Sequence, residues 1–234
     1  MTKILITGAN RGVGLELTRQ FMDDSSNFVF ACCRNPAAAH EVEYLIARLG
    51  NGMLVELDVT SDASVQQSLA TIAGETDSLD IVINNAGILN RGETLATLDA
   101  GTLQHLFNVN STGPMRVAQA SLDLLANGNQ PRLINISSQL ASVTALEDGN
   151  WGAYSYNASK GALNILTRMM ANELKPRGIA VITMHPGWVQ TDMGGPNAAI
   201  TPATSAAGII RVAQGLTLDG TNQFIIYNGE HHPW

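Results

Sequence analysis

The chain has 234 residues, 45% hydrophobic and 14% charged, enough to bury a sizeable core and too apolar for a disordered segment. A net charge of −7 with no run of lysines and arginines argues against nucleic acid as the main partner. No apolar run approaches the ~18 residues of a spanning helix, and an apolar strand starting at Lys3 leaves no room for a signal peptide, so the cytoplasm is the expected compartment and no membrane partner is expected.

Short runs rich in Val, Ile and Leu predict strands at Lys3–Thr7, Phe28–Cys32, Met53–Leu57, Ile81–Asn84, Arg132–Ile136, Ala180–Met184 and Phe224–Tyr227. Amphipathic stretches between them predict helices at Gly12–Met22, Ala37–Leu49, Asp62–Gly74, Leu103–Leu125, Ser155–Leu174 and Pro202–Gln214. Strand–helix alternation points to an α/β fold: one doubly wound, parallel, seven-stranded sheet of Rossmann type with helices on both faces. No linker or internal repeat divides the chain, so residues 1–234 are read as a single domain. Cys32 and Cys33 are neighbours on a strand and point to opposite faces, so they neither pair nor form a zinc site. His231 and His232 lack partner spacing, and no metal is expected.

In such a fold ligands sit at the carboxyl ends of the strands. The first strand runs into Thr7-Gly8-Ala9-Asn10-Arg11-Gly12-Val13-Gly14, a glycine turn opening a helix. Amides at a helix start attract an anion. Gly8 takes the sharp turn, Gly12 allows backbone to approach a phosphate, and Gly14 lets the helix pack on the strand. The later strands end in Cys33-Arg34-Asn35, Asp58-Val59, Asn85-Ala86-Gly87, Ser137-Ser138 and His185-Pro186-Gly187. Small and polar residues therefore gather along one edge of the sheet.

Tyr156 and Lys160 are four apart on a predicted helix and share a face. A neighbouring ammonium favours phenolate, so the pair is a candidate tuned acid/base; a lone tyrosine beside a solvated lysine has the same spacing. Ser138, at the end of the fifth strand, is placed either to bond a carbonyl oxygen or to cap a turn. Asn110 interrupts an apolar helical stretch and either kinks it, holds a water or is a satisfied buried amide.

Taken in order, Thr7-Gly8-x-x-x-Gly12-x-Gly14, Asn84-Asn85-Ala86-Gly87, Asn110, Ser138, Tyr156-x-x-x-Lys160 and Pro186-Gly187-x-Val189-x-Thr191 resemble the short-chain dehydrogenases/reductases. The run His185–Gly195 resembles the branch that holds the C-factor signalling proteins and the Sniffer-type carbonyl reductases. The resemblance implies a catalytic set. Tyr156 would exchange a proton with the substrate oxygen, and Lys160 would lower its pKa and bind the nicotinamide ribose. Ser138 would orient the carbonyl, and Asn110 would hold a water joining Lys160 to solvent. It further implies a cofactor lined by Gly8, Asn10, Arg11, Gly12, Val13, Gly14, Arg34, Asp58, Val59, Asn85, Ala86, Gly87, Val109, Tyr156, Lys160, Pro186, Gly187, Val189 and Thr191. Thr191 would bond the carboxamide and Asp58 the adenine amino group. Ser137 and Tyr154 are rivals for Ser138 and Tyr156; the family pattern favours the second serine, and Tyr154 has Ala158, not lysine, four residues on.

An acidic residue after the second strand would bind NAD. This chain has Cys33 and Arg34 there, and Arg11 in the glycine turn. Two guanidinium groups suit a 2′-phosphate, so NADP(H) is favoured over NAD(H). Ser138 and Tyr156 are 18 positions apart, longer than most of the family; the extra length falls in Ala145–Gly152, expected to bulge over the substrate site. Trp188 to Pro202 is the expected substrate segment. Trp188, Met193 and Trp151 are candidates for an apolar wall around a small carbonyl or alcohol substrate, or for ordinary packing. Leu163, Leu166 and Met170 serve either a homodimer contact or the sheet. A nucleotide-binding signalling protein with incidental turnover remains the alternative to a reductase.

Overall fold

The structure, a computed structural model, describes residues 1–146 and 152–234. Most of the Ala145–Gly152 insertion, with Trp151, lies outside the described residues. Seven strands, β1 (Thr2–Thr7), β2 (Asn27–Cys33), β3 (Gly52–Glu56), β4 (Ile81–Asn84), β5 (Arg132–Ile136), β6 (Ala180–His185) and β7 (Phe224–Ile226), form one sheet in the order β3-β2-β1-β4-β5-β6-β7. Every strand pairing is parallel. This is the Rossmann-type doubly wound sheet that the alternating sequence pattern implies.

Helices α1 (Gly12–Met22), α2 (His40–Leu49), α3 (Asp62–Glu75), α4 (Ala100–Phe107), α5 (Gly113–Ala120), α6 (Leu122–Ala126), α7 (Tyr154–Leu174) and α8 (Pro202–Gly215) complete the fold. The period-2 geometry of a strand sends successive side chains into two cores. Ile4, Ile6, Val29, Ala31 and Cys33 pack with Leu17, Phe21, Val42 and Ile209 on the face of α1, α2 and α8. Leu5, Phe30 and Cys32 pack with Leu69, Ile72, Val117, Leu125 and Met170 on the face of α3, α5, α6 and α7. The two cysteines are free thiols in different cores. Helix starts are fixed locally: Ser61, Asp99 and Thr201 side chains accept from the amides of Ser64, Thr102 and Thr204.

Two expectations are corrected. The helix expected over Leu103–Leu125 is broken into α4, a π turn at Asn108–Thr112, α5 and α6. Pro114 has no N–H to bond the Asn110 carbonyl, and the Asn110 side chain is pulled out to the loop after β4, so the turn widens. The helix expected from Ala37 starts at His40, because Pro36–Ala38 form a separate short turn. Of the candidate dimer residues, Leu163 and Met170 are buried and Leu166 is half-buried; Ile165 and Met169 are exposed on α7. No described helix is long and apolar enough to cross a membrane.

His185 closes β6 with its side chain buried and its Nδ1 unpartnered among the described residues. Its ring lies 6.0 Å from that of His232. Burial, and then the neighbouring His232, push its pKa down from 6.5 to about 4. The unfolded imidazole takes a proton near 6.5 while the folded one stays neutral, so stability is complete above that value and falls as pH drops toward 4. A shift of that size corresponds to about 3 kcal/mol. Thermal unfolding followed from neutral pH into this window is expected to lose stability steeply in the wild type, and His185→Leu to remove the larger part of the slope.

Candidate active site

The sheet order reverses between β1 and β4, which opens a crevice at their carboxyl ends. The glycine turn forms one wall. Gly8 has φ +66°, and a Cβ on Gly14 would lie 2.1 Å from the Gly8 carbonyl oxygen, so α1 starts as close to β1 as backbone allows. Asn85 locks this approach: its Nδ2 donates to the carbonyls of Thr7 (2.9 Å) and Gly8 (3.2 Å). The Thr7 hydroxyl in turn accepts from the amides of Asn85 and Ala86, both at 3.0 Å. Asn85 thus spends its side-chain amide on shaping the turn.

The opposite wall is the start of α7. Tyr156 is 7% exposed and packs with Leu106 and Ala153, with Ile88, Leu89 and Leu140 around it. Burial raises its pKa; the neighbouring Ser138 hydroxyl and the charge of Arg91 act in the opposite direction and do not cancel it. The expected lowering of the phenol by Lys160 is therefore not seen. The Lys160 Nζ donates to the Ile136 carbonyl at 2.7 Å, and burial pushes its own pKa down to about 8. Of the rivals, Tyr154 is 40% exposed at the surface, and the Ser137 hydroxyl donates to Asn164 Oδ1 at 2.7 Å inside the α7 packing. The Ser138 Oγ accepts from the Leu140 amide at 3.2 Å.

Asn110 is fully buried in the π turn. Its Oδ1 accepts from the Ile88 amide, and its Nδ2 donates to the Ile88 carbonyl, each at 2.9 Å, and to Ser159 Oγ at 3.0 Å. It is a satisfied buried amide that pins the π turn to the loop after β4 and to α7. A Cβ on Gly87 would lie 3.3 Å from Asn110 Oδ1 and 3.4 Å from Lys160 Nζ, which places Asn110, Lys160 and Gly87 together. Sequence reasoning assigned no role to Asn135 or Thr167. Asn84 Nδ2 donates to Asn135 Oδ1 at 2.8 Å and Asn135 Nδ2 to Thr167 Oγ1 at 2.9 Å, a buried polar ladder from β4 through β5 to α7. Only the excess of asparagine at strand ends signals it.

The segment after β6 closes the third side. Gly187 has φ +86°, and the Pro186 carbonyl accepts from Ser205 Oγ at 2.6 Å. Val189 is buried and bridges to Ile200. Thr191 sits against the glycine turn, its Cγ2 3.2 Å from where a Gly12 Cβ would be. Trp188 and Met193 are exposed along this segment. Val13 packs at the edge of the first core, and Val59 and Val109 are buried in the second beside the crevice. The Asp58 carboxyl faces burial, yet bonds from Thr60 and the charges of Arg34 and Arg116 hold it below the usual range, so Arg34 and Asp58 share the rim. Arg11 is not a solitary cation: its Nη1 lies 3.3 Å from Asp192, an exposed pair spanning the glycine turn and the segment after β6. Together, the close-packed glycine turn and the flanking guanidinium groups fit a phosphorylated dinucleotide. No cluster of three or more metal-ligating side chains occurs among the described residues.

Residues 2–200 match the family model for short chain dehydrogenases. The chain is 40% identical over 159 residues to C-signal of Myxococcus xanthus, covering 68% of this chain and 95% of that protein. In three dimensions it is similar to the carbonyl reductase Sniffer of D. melanogaster (TM-score 0.95, 32% identity, all of both chains covered). It is also similar to an NADPH-bound carbonyl reductase from chicken fatty liver (TM-score 0.94, 33% identity, 100% of this chain and 99% of that one). With the crevice, the glycine turn and the Tyr156–Lys160 helix in place, the chain belongs to the short-chain dehydrogenase family of oxidoreductases.

Proposed function

We propose that this protein is a single-domain, NADPH-dependent reductase of small carbonyl compounds. The observation that carries the reading is the buried Tyr156, close to the buried Ser138 and one helical turn before the buried Lys160, beside the glycine-lined crevice. The likeness to NADPH-bound carbonyl reductase and to Sniffer supports it.

A nicotinamide held between Lys160 and Thr191 would supply the hydride. The chain supplies position and a proton. A phenol whose pKa is raised by burial stays protonated at neutral pH, which suits Tyr156 to give a proton to a carbonyl oxygen that gains charge. Ser138, buried beside the same phenol, offers a second hydroxyl to that oxygen. Lys160, one turn further on, is cationic below about 8; it stabilises charge developing on the phenol and is placed to hold the ribose. Gly8 and Gly14 let α1 start hard against β1, Gly12 is the residue whose backbone faces the pyrophosphate, and Arg11 and Arg34 are the candidate readers of a 2′-phosphate. Trp188 and Met193 form the apolar wall for the substrate.

The likeness to C-signal favours one other reading, a nucleotide-binding signalling protein. Turnover separates the two. Purified protein mixed with NADPH and a panel of aldehydes, ketones and quinones is expected to consume the reduced cofactor; binding without turnover on the whole panel selects the signalling reading. Tyr156→Phe is expected to lower kcat by about 10²–10⁴-fold with NADPH affinity essentially unchanged. Substantial residual activity would identify another proton donor. Replacing Arg11 and Arg34 together by alanine is expected to cost NADPH about tenfold or more in affinity while sparing NADH, measured by fluorescence titration; equal effects on both cofactors reject the phosphate assignment. Because Lys160 is charged only below about 8, reduction is expected to hold through neutral pH and fall as pH rises past that value. In a pH–rate profile, Lys160→Met is expected to lack this limb on top of a lower rate.

A further inference from the structure

The first turn of α7 presents Tyr156 but carries no cap of its own. Ala153, at the N-cap, offers no side-chain acceptor. A helix start leaves its first amides without partners, and a buried start must find them elsewhere. Here the acceptor comes from the loop between β4 and α4. Glu93 is only 4% exposed. Its Oε2 accepts from the Ser155 amide at 2.8 Å, and its Oε1 accepts from the Ser155 hydroxyl at 2.6 Å and from Asn90 Nδ2 at 3.0 Å. The Glu93 amide also donates to the Gly152 carbonyl at 2.9 Å, so the loop and the chain entering α7 are tied twice. No described cation pairs with this carboxylate; one helix amide and two side chains hold it, and these bonds keep it ionised against the cost of burial.

We propose that Glu93 is the positioning residue for Tyr156: it caps α7 from another element and thereby fixes where the phenol stands over the crevice. Ser155 precedes Tyr156 directly, so any movement at the Glu93–Ser155 contact moves the phenol. The same loop reaches the other side of the crevice. Arg91, two residues before Glu93, donates through Nη2 to the Met193 carbonyl at 2.9 Å. One short loop therefore spans the first turn of the Tyr156 helix and the segment that lines the substrate side. The proposal rests on the reading of Tyr156 as proton donor only for its kinetic consequence; the cap itself does not depend on it.

The test uses Glu93→Ala, Glu93→Gln and Ser155→Ala with two readouts. The first is amide hydrogen exchange in residues 154–157 of the protein without substrate. The second is kcat, KM and NADPH affinity with a reducible carbonyl. Glu93→Ala is expected to speed exchange in 154–157 and leave the later turns of α7 protected. Its kcat is expected to fall about tenfold to a hundredfold, the scale of a small misplacement of a reacting group, with NADPH affinity retained. Glu93→Gln keeps an oxygen acceptor for the Ser155 amide and is expected to recover most of both. Should Glu93→Ala fail to fold, Ser155→Ala, which removes only the hydroxyl contact, is expected to shift both readouts in the same direction by less. Unchanged exchange in 154–157 overturns the proposal. So does a kcat loss that comes with equal loss of NADPH affinity, or one that glutamine does not relieve. Faster local exchange in a protein that turns over no carbonyl leaves the cap standing and rejects the reductase reading instead.

Discussion

The distance between the end of β1 and the first turn of α1 is the constraint on which the crevice depends. That distance is set by a missing side chain: any Cβ at position 14 would sit inside the Gly8 carbonyl. With α1 this close, its free amides point along the carboxyl edge of the sheet, where an anion is best stabilised. Asn85 makes the arrangement rigid by holding two carbonyls of the turn from β4. The first strand of the chain and the fourth thus define one surface. β5 and α7 are then assembled against it through the Asn84–Asn135–Thr167 ladder.

Glu93 extends that logic to the other wall. Within a single element a helix is capped by its own preceding residue. α7 instead takes its cap from a loop that begins at the same strand end as Gly87 and Asn85. The placement of Tyr156 is therefore referred to β4, the strand that also steadies the glycine turn. The Tyr156 phenol and the glycine turn are held from a common origin.

Much of this was legible in the residues. Alternating apolar runs and amphipathic stretches specify a parallel sheet with two faces, and the glycine spacing with Tyr156 and Lys160 marks the site, because these depend on local pattern. What escaped reading depends on contacts between distant segments. The break at Asn108–Thr112 looks in sequence like a continuous helix; it arises because Asn110 bonds Ile88, 22 positions away. The partnership of Glu93 with Ser155 spans 62 positions and leaves no periodic trace. The direction of the Tyr156 shift was also hidden, since spacing reveals the nearby lysine but not the depth of burial, and burial wins. Leu163 and Met170 were open between interface and core; the rotation of α7 on the sheet decides for burial.

The placement of Cys32 and Cys33 in opposite cores has a practical consequence. Burial raises both thiols above their ordinary range, and the sheet stands between them. Thiolate is the form that oxidants and alkylating reagents attack. The native chain is therefore nearly silent toward such reagents while folded. A single cysteine introduced on the surface would then be the dominant point of attachment for a spectroscopic label, with no need to remove the two it was born with.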